Sequence, residues 1–224
     1  PNSFAVNLRT RESKTIGLII PEIVHHFFSS IIKGIISQAE KKGYLVIILQ
    51  SNESYELEKK QINLLIDKRV DGILISIANE TADFKHLTDI IDQNKPLVMF
   101  DKIAKIVKCS KIIIDDRKAA YIATQHLIDT GCKRIAHFRG PLLPQNSIDR
   151  FLGYKKALID NGLSYDPSLV YICQCGDKSF EEGKINAARL LKEHKDVDGV
   201  FINTDMVAIG AITEFRKRKV KIPE

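Results

Sequence analysis

Residues 112–150, IIIDDRKAAYIATQHLIDTGCKRIAHFRGPLLPQNSIDR, decide the fold of this chain. The stretch begins with an apolar run that ends at two aspartates, and a helical repeat of alanine, isoleucine and leucine continues from there to Gly131. A second apolar run, at residues 135–138, leads into Gly140, Pro141 and a polar loop that reaches Arg150. This order predicts a strand, a helix and a second strand, with the loop leaving the carboxyl end of the second strand.

The predicted position of Arg150 suggests a ligand contact, because open parallel sheets bind ligands at the carboxyl ends of their strands. A guanidinium there can grip a carboxylate, a phosphate or a pair of vicinal hydroxyls. The same pattern also fits a solvated arginine in the first turn of the next helix. Both interpretations of Arg150 therefore stay open at this point.

The rest of the chain repeats the alternation of strand and helix. Predicted strands lie at residues 15–20, 44–49, 72–76, 97–100, 169–173 and 199–202, and predicted helices at residues 28–42, 57–67, 84–93, 150–161, 180–194 and 206–217. Apolar strands that alternate with helices are typical of parallel sheets covered on both faces. We therefore expect an α/β protein with two doubly wound parallel-sheet lobes, residues 14–113 and 114–224, after a helical linker at residues 1–13.

Composition limits the other possibilities. The net charge of +6 owes much to five basic residues near the end of the chain that follow a helical pattern, Arg216, Lys217, Arg218, Lys219 and Lys221. Cations are favoured at the carboxyl end of a helix, so we interpret them as a solvated helix end. No apolar run approaches the roughly 18 residues of a membrane span, and the first residues contain no signal-peptide core. A soluble cytoplasmic protein without membrane contact is expected.

No catalytic or metal motif is found. The chain has no nucleophile elbow, Walker loop or glycine-rich dinucleotide motif, so no enzyme and no cofactor is predicted. The histidines that invite acid–base chemistry have no partner acid fixed by spacing; they are His25, His26 and His137. The four cysteines lack the spacing of a zinc site or a disulfide framework and are expected to be reduced thiols; they are Cys109, Cys132, Cys173 and Cys175.

Several segments, taken in order, resemble one family. They are PNSFAVNL, IGLIIPEIVHHFFSSIIKGIISQAEKKGY, VDGILIS, PLVMFD, IDDRKAAYIATQHLIDTGCKRIAHFRGP, RFLGY and NTDMVAIGAI. This ordered set resembles the bacterial transcriptional regulators of the lactose/galactose repressor (LacI/GalR) family, from the hinge helix onward. The family's helix-turn-helix before Pro1 and its final segment after Glu224 are not present, so we expect a sequence truncated at both ends. In the family, that final segment returns through both lobes.

The resemblance implies a function and a set of site residues. A small effector, a sugar or related metabolite, would bind between the lobes of a periplasmic-binding-protein-like fold and control the affinity of a homodimer for operator DNA. Its expected contacts are Phe27, Phe28, Asp101, Asn146, Arg150 and Asp205. One of the two phenylalanines is expected in the core instead, and Asp205 also suits a helix cap.

The resemblance also places the DNA and dimer contacts. Leu8 falls where the family inserts a leucine into the minor groove, and Ala5 lies where two hinge helices approach each other. Without DNA, this segment also fits a disordered linker. Dimer contacts are expected on the first two helices, at Ile31, Ile35 and Leu64. A periplasmic sugar-binding protein shares the two-lobe architecture, but the hinge-like PNSFAVNL and the absence of an export signal argue against it.

Overall fold

The computed structural model describes residues 12–24 and 26–223, and the chain divides into two compact units with the boundary between Ile114 and Asp115. The expectations for Ala5, Leu8 and His25 lie outside the described residues. None of the described helices combines the length and the apolar character that a membrane span requires.

The first unit is built around a five-stranded parallel sheet. Its elements are β1 (Thr15–Ile20), α1 (His26–Lys41), β2 (Leu45–Gln50), α2 (Tyr55–Asp67), β3 (Gly72–Ile75), α3 (Lys85–Asp92), β4 (Leu97–Phe100) and β5 (Ser110–Ile112). The strand order is β2-β1-β3-β4-β5, and every neighbouring pair is parallel. Because the order reverses at β1, right-handed crossovers place α1 on one face of the sheet and α2 and α3 on the other.

Both faces of this sheet are buried in separate cores, as the apolar strands require. On β1, Leu18 packs with Phe28 of α1, whereas Ile19 packs on the opposite face with Leu65 of α2. The α2 face approaches β1 so closely that a Cβ added at Gly17 would lie 2.4 Å from Leu65 Cδ1. A larger residue at position 17 would therefore push α2 away from the sheet.

The second unit repeats this arrangement with three parallel strands. Its elements are α4 (Asp116–Asp129), β6 (Ile135–Arg139), α5 (Gln145–Asp160), a 3₁₀ turn (Pro167–Leu169), β7 (Val170–Ile172), α6 (Ser179–Glu193), β8 (Gly199–Ile202) and α7 (Asp205–Lys217). The strand order is β7-β6-β8. Ile135 packs with Tyr154 on the α4–α5 face, and Phe138 packs with Ala187 on the α6–α7 face. The predicted α/β class with two doubly wound parallel sheets is confirmed.

Two local predictions were wrong. The apolar run at residues 112–114 does not form one strand–helix–strand unit with β6, since Ile112 pairs with Phe100 in the first sheet and Ile113 lies exposed beyond the strand. An apolar pattern predicts a strand but not the sheet that it joins. In addition, α5 begins at Gln145 rather than at Arg150. Pro144 precedes it with φ −61°, and proline suits a helix start because it has no N–H to leave unbonded.

Candidate functional site

A buried ion pair ties together the loops at the carboxyl edge of the first sheet. Lys102, just after β4, is buried, and its Nζ lies 2.6 Å from both carboxylate oxygens of Glu53, which follows β2. The same Nζ donates to Asn79 Oδ1 at 2.9 Å, and the Asn79 backbone N–H donates to Glu53 at 2.7 Å. A buried lysine is tolerated when a carboxylate and hydrogen bonds compensate it. The three loops thus form a connected polar edge.

Asp101 lies at this edge, directly after β4. Its backbone is left-handed, with φ +56°, a conformation that aspartate adopts more readily than most residues. Ser76, which follows β3, donates its Oγ to Asp101 Oδ2 at 3.5 Å. The sheet edge therefore holds Asp101 half-buried at the end of its strand, where the sequence predicted it to lie.

The two adjacent phenylalanines at the start of α1 have different environments. The Phe28 ring is buried with Leu18, Ile20 and Phe100, whereas Phe27 is 45% exposed. Their ring centroids are 5.1 Å apart in an edge-to-face arrangement. Phe27 is thus the ring of the pair that can stack on a ligand, and Phe28 is a core residue that supports it.

In the second unit, Arg150 is held by two partners at the carboxyl edge of the sheet. Its Nε lies 2.7 Å from Asp116 Oδ1, at the start of α4, and its Nη1 donates to the Asn203 carbonyl, just after β8, at 3.0 Å. The solvated alternative for Arg150 is excluded, because this guanidinium joins α4, α5 and β8. Within the described residues Nη2 has no hydrogen-bond partner, so one side of the planar fork remains available to a ligand.

Three side-chain oxygens beside Arg150 are buried without a hydrogen-bond partner among the described residues. They are Ser147 Oγ, Asn203 Oδ1 and Thr204 Oγ1. Gly140, directly after β6, allows Ser147 and Asn203 to approach, because a Cβ there would lie 2.7 Å from Asn203 Nδ2 and 3.0 Å from Ser147 Oγ. Buried polar atoms are normally hydrogen-bonded, and convergent unpaired ones are typical of a site that binds a polar ligand. We call Ser147, Arg150, Asn203 and Thr204 the polar edge cluster.

The other two predicted residues of this unit lie in the first turns of helices. Asn146 belongs to α5, and its Oδ1 accepts a hydrogen bond from the Ser147 N–H at 2.8 Å. Asp205 is the first residue of α7 and is exposed, whereas Thr204 occupies the cap position without a side-chain cap bond. Asp205 is therefore not the cap, and its carboxylate lies where the helix dipole favours an anion.

His137 lies in the core of this unit, outside any acid–base role. It is fully buried, its ring is stacked 4.7 Å from that of Phe201, and its Nδ1 donates to the Phe201 carbonyl at 3.0 Å. Burial lowers the pKa of His137 to about 3; the hydrogen bond to Phe201 opposes this effect, and the charge of Arg139 adds to it. His137 is consequently neutral at physiological pH.

The residues predicted as dimer contacts lie on two helices of the first unit. Ile31 and Ile35 are half-buried on α1 and line an apolar groove of about 650 Å³ together with Ile16 and Leu74 of the sheet. Leu64 lies exposed on α2. These positions are compatible with an interface, and their role remains a prediction.

Sequence reasoning missed both partners of Arg150 and the neighbouring Ser147. It did not single out Asp116, Ser147 or Asn203 as site residues, although Gly140 before a proline marked the loop. Within the described residues, no group of three or more histidine, cysteine, aspartate or glutamate side chains is arranged to hold a metal ion. None of the four cysteines, which all lie among the described residues, forms a disulfide bond. The chemistry that the edge offers is hydrogen bonding and charge.

Comparison with known proteins identifies the family. Residues 13–224 match the family model described as periplasmic binding proteins and sugar binding domain of LacI family. Over its whole length the chain is 34% identical to the HTH-type transcriptional repressor CytR of Escherichia coli (strain K12) and 32% identical to catabolite control protein A of Priestia megaterium. It spans 64% and 66% of the length of these two relatives, respectively.

A solved structure agrees with these matches. The transcription regulator CcpA of Lactococcus lactis aligns with a TM-score of 0.82 and 31% sequence identity, covering 93% of this chain and 74% of that chain. The fold is therefore that of the periplasmic-binding-protein-like domain, and the resemblance found in the sequence is confirmed. The chain belongs to the LacI family, within the group of periplasmic binding proteins and LacI-type sugar-binding domains.

Proposed function

We propose that this protein is a transcriptional regulator in which a small polar effector, a sugar or related metabolite, controls the affinity of a homodimer for operator DNA. The observation that carries the proposal is the polar edge cluster on a chain of this family. The relatives described above are named as a transcriptional repressor, a transcription regulator and a catabolite control protein, and none as an enzyme. Regulation of an operator requires a cytoplasmic protein, and the function includes no catalytic step.

The polar edge cluster suits a ligand that carries several hydroxyl groups. Asn203 Oδ1 accepts a hydroxyl proton, and Arg150 Nη2 donates to a hydroxyl oxygen. The hydroxyls of Ser147 and Thr204 do either. Because Arg150 is already fixed by Asp116 and the Asn203 carbonyl, it loses little side-chain entropy when a ligand binds.

The effector contacts proposed in the first unit are Asp101 and Phe27. Asp101 accepts protons from hydroxyls, and the exposed ring of Phe27 offers an apolar face to a sugar. Asn146 and Asp205 lie in the first turns of α5 and α7, and we assign them to the same site as Arg150. An effector changes operator affinity only to the extent that it binds one conformation of the regulator more tightly than another.

The proposed DNA and dimer contacts are inferred from the family to which the chain belongs. Ala5 and Leu8 are assigned to the hinge that enters the minor groove, below a helix-turn-helix of the kind named in the CytR relative. Ile31, Ile35 and Leu64 are assigned to the dimer interface because they present apolar surface on α1 and α2. A periplasmic sugar-binding protein is the alternative with the same fold, but the reported relatives favour a regulator.

The test is a DNA-binding titration with the intact protein. Fluorescence anisotropy with DNA from its own upstream region is measured alone and with neutral sugars, nucleosides and phosphorylated sugars. One class of compound is expected to change the DNA affinity at least fivefold, the lower range of allosteric coupling. Failure to bind any upstream DNA with or without these compounds would sink the proposal.

Arg150→Ala tests the site itself. Removing a charged hydrogen bond is expected to weaken effector binding by about 1.5–3 kcal/mol, roughly 10- to 150-fold. Arg189→Ala is the control, since Arg189 is an exposed arginine on α6. If Arg150→Ala keeps effector affinity within about twofold of wild type, the role of Arg150 is abandoned.

A further inference from the structure

Arg139 lies on the buried face of β6, where the other side chains belong to the core. Side chains alternate along a strand, so Ile135, His137 and Arg139 share the face of the sheet that α4 and α5 cover. Ile135 and His137 are buried there, and Arg139 is only 8% exposed. Its guanidinium carbon lies 4.5 Å from the centroid of the Phe151 ring of α5.

The charge of Arg139 has no carboxylate partner in the described part of the chain. Its Nε makes one long hydrogen bond, 3.4 Å, to the Gly140 carbonyl, and its two Nη nitrogens make none within the described residues. The other buried cation among those residues, Lys102, is compensated by Glu53. Arg139 is therefore an exception to the rule that buried charges are paired.

The aromatic ring beneath Arg139 belongs to a group of rings that carries a second cation. Phe151 lies 6.0 Å from the Tyr165 ring, and Lys155 Nζ lies 4.6 Å from the centroid of Tyr165. Each of these two neighbouring rings thus has one cation over it. Asp166, next to Tyr165 in the sequence, is already bound by Arg134 and Ser168.

An anion that binds at this place supplies the counter-charge that Arg139 lacks among the described residues. Contact with the Phe151 ring restrains the guanidinium, and the Nη nitrogens, which make no hydrogen bond within the described residues, suit the two oxygens of a phosphate or carboxylate. Arg139 ends β6 and is followed by Gly140, which contacts Ser147 and Asn203 of the polar edge cluster. Hydroxyl-binding groups and an anion-binding group therefore adjoin at one sheet edge.

We propose that Arg139 binds an anionic oxygen group of the effector, so that the regulator responds to a phosphorylated or acidic sugar rather than to a neutral one. The identification of this ligand as an effector rests on the proposed function, whereas anion binding by Arg139 does not.

The test is isothermal titration calorimetry on the intact protein with five probes. They are inorganic phosphate, glucose 6-phosphate, ribose 5-phosphate, gluconate and neutral glucose. Arg139→Met removes the charge but keeps an unbranched stem over Phe151. It is expected to weaken binding of the preferred anionic probe at least tenfold and to change binding of glucose by less than twofold. Comparison of the phosphates with gluconate shows whether phosphate or carboxylate is the group recognised.

Arg189→Met is the matched control, because Arg189 also lies over an aromatic ring, that of Tyr171 at 5.2 Å, but is exposed. It is expected to bind every probe as wild type does. If Arg139→Met does not fold, Arg139→Lys and Arg139→Gln are compared instead. Only the lysine variant keeps the positive charge, so it is expected to bind the anionic probes more tightly than the glutamine variant does.

Equal responses of wild type and the uncharged variant to every anionic probe, whether both bind or neither binds, would overturn the proposal and leave Arg139 as a structural stacking residue. The DNA titration separates this result from the proposed function. Anion binding through Arg139 without any operator binding contradicts the regulator alone, and effector-sensitive operator binding without anion selectivity contradicts the Arg139 proposal alone.

Discussion

Replacing Arg150 with methionine is expected to destabilise the second unit by about 2–3 kcal/mol. The pair that it breaks joins Arg150 Nε and Asp116 Oδ1 at 2.7 Å, with the two side chains 23% and 10% exposed. Removing one partner of a buried pair costs about 3–5 kcal/mol, because the other charge remains buried. Asp116 lies in the first turn of α4, where the helix dipole stabilises an anion by about 0.3–1 kcal/mol. Subtracting this stabilisation from the lower end of the 3–5 kcal/mol range gives the expected loss of about 2–3 kcal/mol.

The assay is thermal unfolding by differential scanning calorimetry in a double-mutant cycle. At about 2–4 °C per kcal/mol for a chain of this size, Arg150→Met should lower Tm by about 4–12 °C. Asp116→Asn in the same background should cost about 1–2 kcal/mol less than it does in wild type, because the charge left by Arg150→Met is already unpaired. Arg189→Met, which changes an exposed arginine, should stay within about 0.5 kcal/mol of wild type. A Tm within 1 °C (about 0.3–0.5 kcal/mol) of wild type for Arg150→Met, together with additive effects, would refute the reasoning.

Four further substitutions, of which Gly34→Ala is a control, test the packing, the protonation and the helix start, each by urea denaturation followed by circular dichroism. Gly210→Ala would place a Cβ 2.0 Å from a backbone carbonyl oxygen of α6 and should cost about 1–3 kcal/mol or more, whereas Gly34→Ala, with open space around it on α1, should stabilise by about 0.5–1 kcal/mol. His137 is neutral when folded, with a pKa of about 3, so stability falls below the ordinary pKa of 6.5 by about 1.4 kcal/mol per pH unit, or about 2 kcal/mol at pH 5. His137→Gln should remove that part of the slope between pH 7 and pH 5, and an unchanged slope would contradict a buried neutral histidine. Asp115→Ala removes the cap that accepts the third N–H of α4 and should cost about 0.5–2 kcal/mol; no loss would mean that the cap contributes nothing.

The candidate site residues that follow a strand or a turn motif in the sequence could be predicted from these neighbouring residues. Arg150 follows a strand and a glycine–proline loop, and Asp101 follows an apolar strand, so each was assigned to a sheet edge from sequence position alone. The environment of each was not predictable in the same way. Whether Phe27 or Phe28 enters the core depends on the rotation of α1 against β1, and the structure buries Phe28.

The partners of Arg150 show the limit most clearly. Asp116 and Asn203 are 34 and 53 residues away in the sequence, and each also fits a helix or strand end without any ligand role. The lack of a partner for Arg139 is likewise invisible in a sequence, because a missing carboxylate is recognised only when all the neighbours of a side chain are known.

The alternation of strands and helices and the parallel sheets could be read from the sequence, because hydrophobic periodicity and turn residues act over a few neighbouring positions. The family was recognised separately, from the ordered set of segments that resemble it. Tertiary structure decided the rest. It assigned β5 to the first sheet, joined Arg150 to Asp116 and left Arg139 buried without a counter-charge. These outcomes depend on contacts between residues far apart in the chain, whose geometry is set by how helices pack on the sheets and not by any local pattern.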